Sequence, residues 1–262
     1  MSKSLINTHC LIKACDALNI PYIIHDTYGN FVEVHVRRLL FFINFATPWN
    51  DASAAALCKD KEYTYRLLSA HVRMPKTSAY FDPQFNRKNY KQYHEYTDRD
   101  AIISDITMRH SFPLIIKMNS GSRKRNVFLC HNEKEIRRAL SSIFNKQSRN
   151  YDYLALAQEY IDIQTEYRVV MFKDRILCVY IKNDAKRTLI QDPKMIMKLH
   201  DFIMPILEKT TVQFAGLDVT QNARGELLLL EMNAEPGFFG LAKAHGEDVV
   251  VKMFEEMLKG EK

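Results

Sequence analysis

The sequence predicts a chain of mixed helix and strand, α/β or α+β, with mixed sheets. Three observations carry that expectation. Strand-like and helix-like segments alternate along the chain without a repeat. Hydrophobic residues make up 47% of the 262 and charged residues 26%, an ordinary balance for a chain that buries a sizeable core. Clusters of Gly, Pro, Asn and Asp punctuate the apolar segments and mark turns between them.

Taken in order, Leu5, Ile6, Cys10, Ile12, Leu18 and Ile20 have helical spacing that stops before Pro21. Residues 22–25 form a short strand, Thr27-Tyr28-Gly29-Asn30 a turn, and Phe31, Val32, Val34 and Val36 a second strand. The apolar run 39–45 reads as a strand buried on both faces, broken at Thr47-Pro48. Residues 52–74 are helical up to Pro75. Residues 80–110, rich in Tyr, Asp, Lys and Arg and poor in aliphatics, read as a surface excursion or a partly helical insertion. After Pro113 come strands at 114–117 and 127–130, then a helix at 133–145 capped by Asn132. Strands follow at 154–160, 167–172 and 176–181. Asp192-Pro193 opens a helix to about 209 as N-cap and N1 pair. Strands at 214–219 and 227–232 and a helix at about 248–258 complete the chain.

Composition narrows the class. The apolar runs are too short to cross a bilayer, and MSKSLINTHC lacks the apolar core of a signal peptide, so the expectation is a cytoplasmic protein with no membrane partner. The five cysteines show no CxxC spacing and read as reduced, buried thiols rather than a zinc site. Net charge is +6, with cationic excess in stretches 87–99 and 117–125. An anion pocket explains such clusters as well as nucleic acid does, and nucleic acid is the weakest of the readings.

Chemistry concentrates in three places. Asp218 lies near the end of one late strand, and Glu231 and Asn233 lie on the next, where alternation puts both on one face. Residues 221–226, with Gly225, suit a hairpin turn that brings Asp218 beside them. Carboxylate and amide oxygens in this set suit Mg²⁺ better than zinc. Next, Lys117 ends a strand that opens into Asn119-Ser120-Gly121-Ser122, a small polar loop able to meet a polyphosphate. Finally, Gln158-Glu159-Tyr160-Ile161 follows an apolar strand and precedes Glu166 and Arg168, an arrangement that could hold a purine and its ribose. Each alone is as readily structural.

Their order resembles the ATP-grasp superfamily, and within it the carboxylate–amine ligase branch that includes D-alanine–D-alanine ligase, cyanophycin synthetase and the ribosomal-protein glutamate ligases. Lys59-Asp60-Lys61 and Met74-Pro75-Lys76-Thr77 look like the segment that opens the nucleotide-binding domain there. The resemblance implies an α+β ATP-grasp fold, with two lobes clamping the nucleotide behind a short α/β lead-in domain. It places that lead-in at 1–58 and the ATP-grasp domain at 59–262, with a lid lobe at about 112–165 and a metal-site lobe at about 166–262.

The resemblance also implies roles. Lys61 and Lys117 would contact ATP phosphates, with Ser120, Gly121 and Ser122 in the loop that folds over them. Gln158, Glu159, Tyr160 and Ile161 would line the adenine pocket, and Glu166 would reach the ribose. Asp218, Glu231 and Asn233 would hold one or two Mg²⁺, with Mn²⁺ as a substitute. Arg168 and Lys182 would face the acyl phosphate or the substrate carboxylate. The implied activity joins a small-molecule or peptide carboxylate to an amine at the expense of ATP, and dimers are common in the family. One departure stands out: where the family loop carries further glycines, this chain has Ser122-Arg123-Lys124-Arg125-Asn126 after Gly121. That departure favours an alternative, a silent nucleotide-binding or scaffold protein on the same fold.

Overall fold

A computed structural model describes residues 5–85, 88–93, 95–121, 125–182 and 185–261, without the side chains of 88, 89 and 91. Its contacts divide the chain into two units, residues 1–59 with 163–262, and residues 60–162.

The first unit holds two antiparallel sheets. The smaller, in order β1-β2-β3, joins β1 (Tyr22–Ile24), β2 (Phe31–His35) and β3 (Leu39–Ile43). The larger, in order β11-β10-β8-β9, joins β8 (Ile163–Phe172), β9 (Arg175–Ile181), β10 (Phe214–Asn222) and β11 (Leu227–Asn233). Helices α1 (Ile6–Leu18) and α8 (Asp248–Lys259) bury apolar faces in a shared core with Val32, Val34, Leu40, Phe172 and Phe214. Trp49 lies inside it, edge-on to Phe42, Phe172 and Phe214 at ring separations of 5.2, 5.0 and 5.8 Å. This unit also contains α2 (Ala52–Lys59), α6 (Pro193–Lys209) and α7 (Phe239–His245).

The second unit is built on the antiparallel sheet β4-β7-β5-β6, comprising β4 (Thr77–Phe81), β5 (Leu114–Met118), β6 (Val127–Cys130) and β7 (Leu154–Glu159). Its core gathers Tyr80, Ile102, Ile106, Leu114, Ile116, Ile136, Leu140 and Ala155 from this sheet and from α4 (Arg99–Arg109) and α5 (Glu133–Ile143). Helix α3 (Lys61–Leu68) starts behind Asp60, whose side chain accepts from the Tyr63 N–H at 2.9 Å.

Several expectations are corrected. All strand pairs are antiparallel, so the sheets are not mixed. The run 39–45 is not buried on both faces. Leu40 and Phe42 are buried, whereas Leu39, Phe41 and Ile43 are about half exposed, because β3 edges a sheet with one covered face. Residues 52–74 form two helices rather than one, since Asp60 ends α2 and caps α3. Of the two readings of stretch 80–110, the partly helical one holds: Arg99–Arg109 is α4, whose Ile102, Ile103 and Ile106 enter the core. The sequence reading did not anticipate α7 after Pro236-Gly237.

Candidate active site

In the second unit the chemistry centres on the end of β5. Strand β5 lies between β7 and β6, pairing Lys117 with Leu156 and Val127. Lys117 is only 8% exposed, and an ammonium that deep must be compensated. It donates to Gln158 Oε1 at 2.9 Å, and Gln158 Nε2 donates to Thr77 Oγ1 at 2.9 Å. Lys61, the first residue of α3, donates to the carbonyl oxygens of Asn119 and Gly121 at 3.1 and 2.5 Å.

The base of the polar loop is pinned from two more sides. Asn119 Oδ1 accepts from the Glu62 N–H at 2.9 Å. Ser120 gives both its N–H and its hydroxyl to Asp152 Oδ2, at 2.8 and 2.9 Å. Gly121 passes so close to Met118 that a Cβ would lie 2.3 Å from Met118 Cγ, so the turn requires glycine. Ser122 lies outside the described residues, as do Arg123 and Lys124. Glu159 exchanges backbone and side-chain bonds with Lys76, at 2.8 and 3.1 Å, while Tyr160 is 41% exposed and Ile161 lies beyond the strand.

In the first unit the large sheet aligns the remaining residues by register. Glu231, Asp218, Arg168 and Tyr180 form one row across β11, β10, β8 and β9. Thr220 and Glu166 pair one step along, where Lys182 N–H donates to Glu166 O at 2.6 Å. Asn233 pairs with Gly216 on the other side. The turn at 222–225 has the expected chemistry. Gly225 takes a left-handed backbone at φ 76°, and Asn222 Oδ1 accepts from the N–H groups of Arg224 and Glu226.

Within this row Asp218, 1% exposed, meets Arg168 Nε through Oδ1 at 2.6 Å and Lys182 Nζ through Oδ2. Lys182 also meets Glu166 Oε1 at 2.9 Å. Burial draws the Arg168 guanidinium pKa down most strongly of any single influence, but Asp218, Tyr180 and Glu231 together outweigh it and the net shift is upward. The same balance holds for Lys182: burial lowers its pKa, and Asp218 and Glu166 raise it to a net increase, so the ammonium stays charged. Gly216 leaves room for this arrangement. A Cβ there would lie 2.6 Å from Arg168 Nη1.

Asp218, Glu231 and Asn233 thus come to one edge of one sheet, and the donor set fits a hard cation. All of its candidate ligands are oxygens. Asp218 Oδ1 is buried, and its contact with Arg168 lacks hydrogen-bond alignment. Asn233 Oδ1 also accepts from Glu235 N–H at 2.9 Å, which turns the chain after the strand. Among the described residues no group of three or more His, Cys, Asp and Glu is gathered for a metal. Nor are the thiols poised as nucleophiles: burial pushes Cys10, Cys15, Cys58 and Cys178 up to about 12 and Cys130 to about 11.

Sequence reasoning gave no role to Asp152, Tyr180 and Gly216, and named Thr77 only within the segment 74–77. Only Gly216 left a signal, as a residue without a side chain two positions before Asp218 and on its face of the strand.

Comparison with known proteins gives a family. The model of the RimK-like ATP-grasp domain matches residues 59–257. A probable alpha-L-glutamate ligase of Aeromonas salmonicida (strain A449) is 28% identical over 167 residues, 57% of this chain and 52% of that protein. The chain therefore spans about half the length of that relative. The alpha-aminoadipate–LysW ligase LysX of Sulfurisphaera tokodaii is 23% identical over 223 residues, 80% of this chain and 72% of that protein. Among solved structures, the ATP-grasp ligase PsnB, complexed with a phosphomimetic variant of its minimal precursor, Mg and ADP, superposes with a TM-score of 0.55. It is 16% identical and covers 82% of this chain and 61% of PsnB, a likeness of fold. No helix among the described residues is long and apolar enough to cross a membrane.

Proposed function

The chain belongs to the RimK-like ATP-grasp family, and from that premise we propose that it is an ATP- and magnesium-dependent carboxylate–amine ligase. One observation carries the reading. Glu231 and Asp218, the proposed oxygen ligands, share a row with Arg168, and Lys182 touches the Asp218 carboxylate as well. Phosphoryl transfer needs that combination, because its demands are positioning and charge neutralisation rather than covalent help from the protein.

In the proposed reaction a carboxylate oxygen of the acid attacks the γ-phosphorus, ADP leaves, and an acyl phosphate forms. The amine nitrogen then attacks the acyl carbon, loses a proton, and displaces inorganic phosphate to leave the amide. Lys117 and Lys61 bind the polyphosphate, residues 120–126 cover it, residues 158–161 hold adenine, and Glu166 receives the ribose. Arg168 and Lys182 stabilise the acyl phosphate and the tetrahedral oxyanion. Asp218, Glu231 and Asn233 hold magnesium, one ion or two and replaceable by Mn²⁺; when bound it neutralises charge on the transferring phosphoryl group. Residues 1–58 serve as the lead-in and 59–262 as the ATP-grasp domain, with lid and metal lobes at 112–165 and 166–262. The setting is cytoplasmic.

Both sequence relatives are named for joining an acidic amino acid, so glutamate and α-aminoadipate head the substrates to test. The expected result is Mg²⁺-dependent ADP release with one acid–amine pair from a mixed pool, lost by at least about 10²-fold in Glu231→Ala without loss of fold. An unchanged rate in that variant contradicts the metal assignment. A second reading, a silent nucleotide-binding protein, is favoured by one observation: Ser120 gives its donors to Asp152 rather than leaving them to a phosphate. It predicts nucleotide binding with no ADP release from any pair.

A further inference from the structure

The segment after Asn233 is tied to the first helix of the chain. Asn7, in the first turn of α1 and 4% exposed, donates through Nδ2 to Pro236 O at 2.9 Å. Its Oδ1 accepts from Phe238 N–H at 3.1 Å. One buried amide thus spans the Pro236-Gly237-Phe238 turn, with a backbone carbonyl on one side and a backbone N–H on the other. Phe238 itself is 1% exposed and packs at ring separations of 6.4 Å from Phe214 and 6.3 Å from Phe254.

What that turn holds in place is the proline ring. A Cβ on Gly216 would lie 2.9 Å from Pro236 Cβ, 2.6 Å from Arg168 Nη1 and 3.0 Å from Arg168 Cδ. The proline ring and the Arg168 side chain therefore share the space over Gly216. Arg168 is bounded there by Pro236, and it meets Asp218 at its Nε.

We propose that Asn7 is a positioning residue for ligation: by fixing Pro236 over Gly216, it sets the wall that holds Arg168 on Asp218. The functional consequence rests on the ligase reading above; the positioning of Arg168 does not. Asn7→Asp keeps the shape and the acceptor for Phe238 N–H, but it sets a carboxylate oxygen against the Pro236 carbonyl, so only the Pro236 side of the clamp opens. Gly216→Ala disturbs the same space from below.

The test has two arms. In the first, the Nε–H signal of Arg168 is followed by NMR without substrates and assigned by its loss in Arg168→Lys. It is expected to shift in Asn7→Asp, with Gly216→Ala, whose new Cβ meets Arg168 directly, as the positive control; an unmoved signal in Asn7→Asp overturns the proposal, whatever the protein's activity. The second arm measures turnover and ADP affinity. Asn7→Asp is expected to lower kcat at least tenfold with ADP affinity changed less than twofold, and to add less than twofold in the Arg168→Lys background. Equal losses in the two backgrounds, or a kcat loss matched by a loss of ADP affinity, would show that Asn7 does not act through Arg168. Should Asn7→Asp fail to fold, Asn7→Ser, which shortens the same side chain so that it no longer spans the turn, carries both arms.

Discussion

Asp218→Asn is expected to abolish turnover, by on the order of 10³-fold or more in kcat, while the protein still folds and still binds ADP. The carboxylate of Asp218 is buried at the centre of the row, in contact with Arg168 and Lys182. An amide in its place keeps the volume and one acceptor but removes the charge on which both cations and any bound magnesium depend. The change has a stability cost of definite sign. Truncating one partner of a buried ionic cluster strands the others, at about 3–5 kcal/mol for full removal. Asn, which can still accept from one cation, loses less. A thermal melt should therefore place Asp218→Asn below the parent and Asp218→Ala lower still, with neither turning over. Turnover retained in Asp218→Asn at a reduced melting temperature would make Asp218 a structural counter-ion only.

Lys117→Met is expected to lower ATP affinity about 100-fold at a modest cost in stability. Lys117 is buried among β-sheet neighbours and donates to Gln158. Met keeps the volume but leaves Gln158 Oε1 without this donor, at a cost of about 1–3 kcal/mol. Calorimetric titration of ATP, read beside a melt, separates the cases: lowered stability with unchanged ATP affinity would assign Lys117 to the fold alone.

Much of the fold was legible because its signals are local. Asn132 and Asp192-Pro193 cap α5 and α6 where the sequence put them, since capping depends on the chain within three residues. The β10–β11 hairpin was legible from its alternation and from the Asn222 and Gly225 turn, and with it the grouping of Asp218, Glu231 and Asn233. Strand β4 was not legible, because Thr77–Phe81 becomes a strand by pairing with β7 some eighty residues on. Helix α4 hides its three core isoleucines among Asp, Arg and Ser, which face solvent and mask the period. The exposed face of β3 could not be read from 39–45 either. An apolar run says what can be buried, and the sheet's edge position decides which face is.

The site divides the same way. Residue types and order identified Lys117, Gln158, Glu166 and Arg168 as candidates. Their partners depend on register between strands far apart in sequence, which no local pattern encodes. That Arg168 sits opposite Asp218, that Asp152 takes the donors of Ser120, and that Asn7 reaches Pro236 are all long-range facts. They decide which cations are held and which loop is anchored. They also explain how a chain with few loop glycines keeps the base of its polar loop fixed, through Asp152, Lys61 and Asn119.

The most direct test of the acyl phosphate uses a pool of amino acids and small peptides carrying ¹⁸O in their carboxylates, incubated with ATP and Mg²⁺. The account predicts that the phosphate released by the protein carries one ¹⁸O, transferred from the acid as the amide forms. Unlabelled phosphate accompanying amide formation, or release of AMP and pyrophosphate in place of ADP, would contradict it.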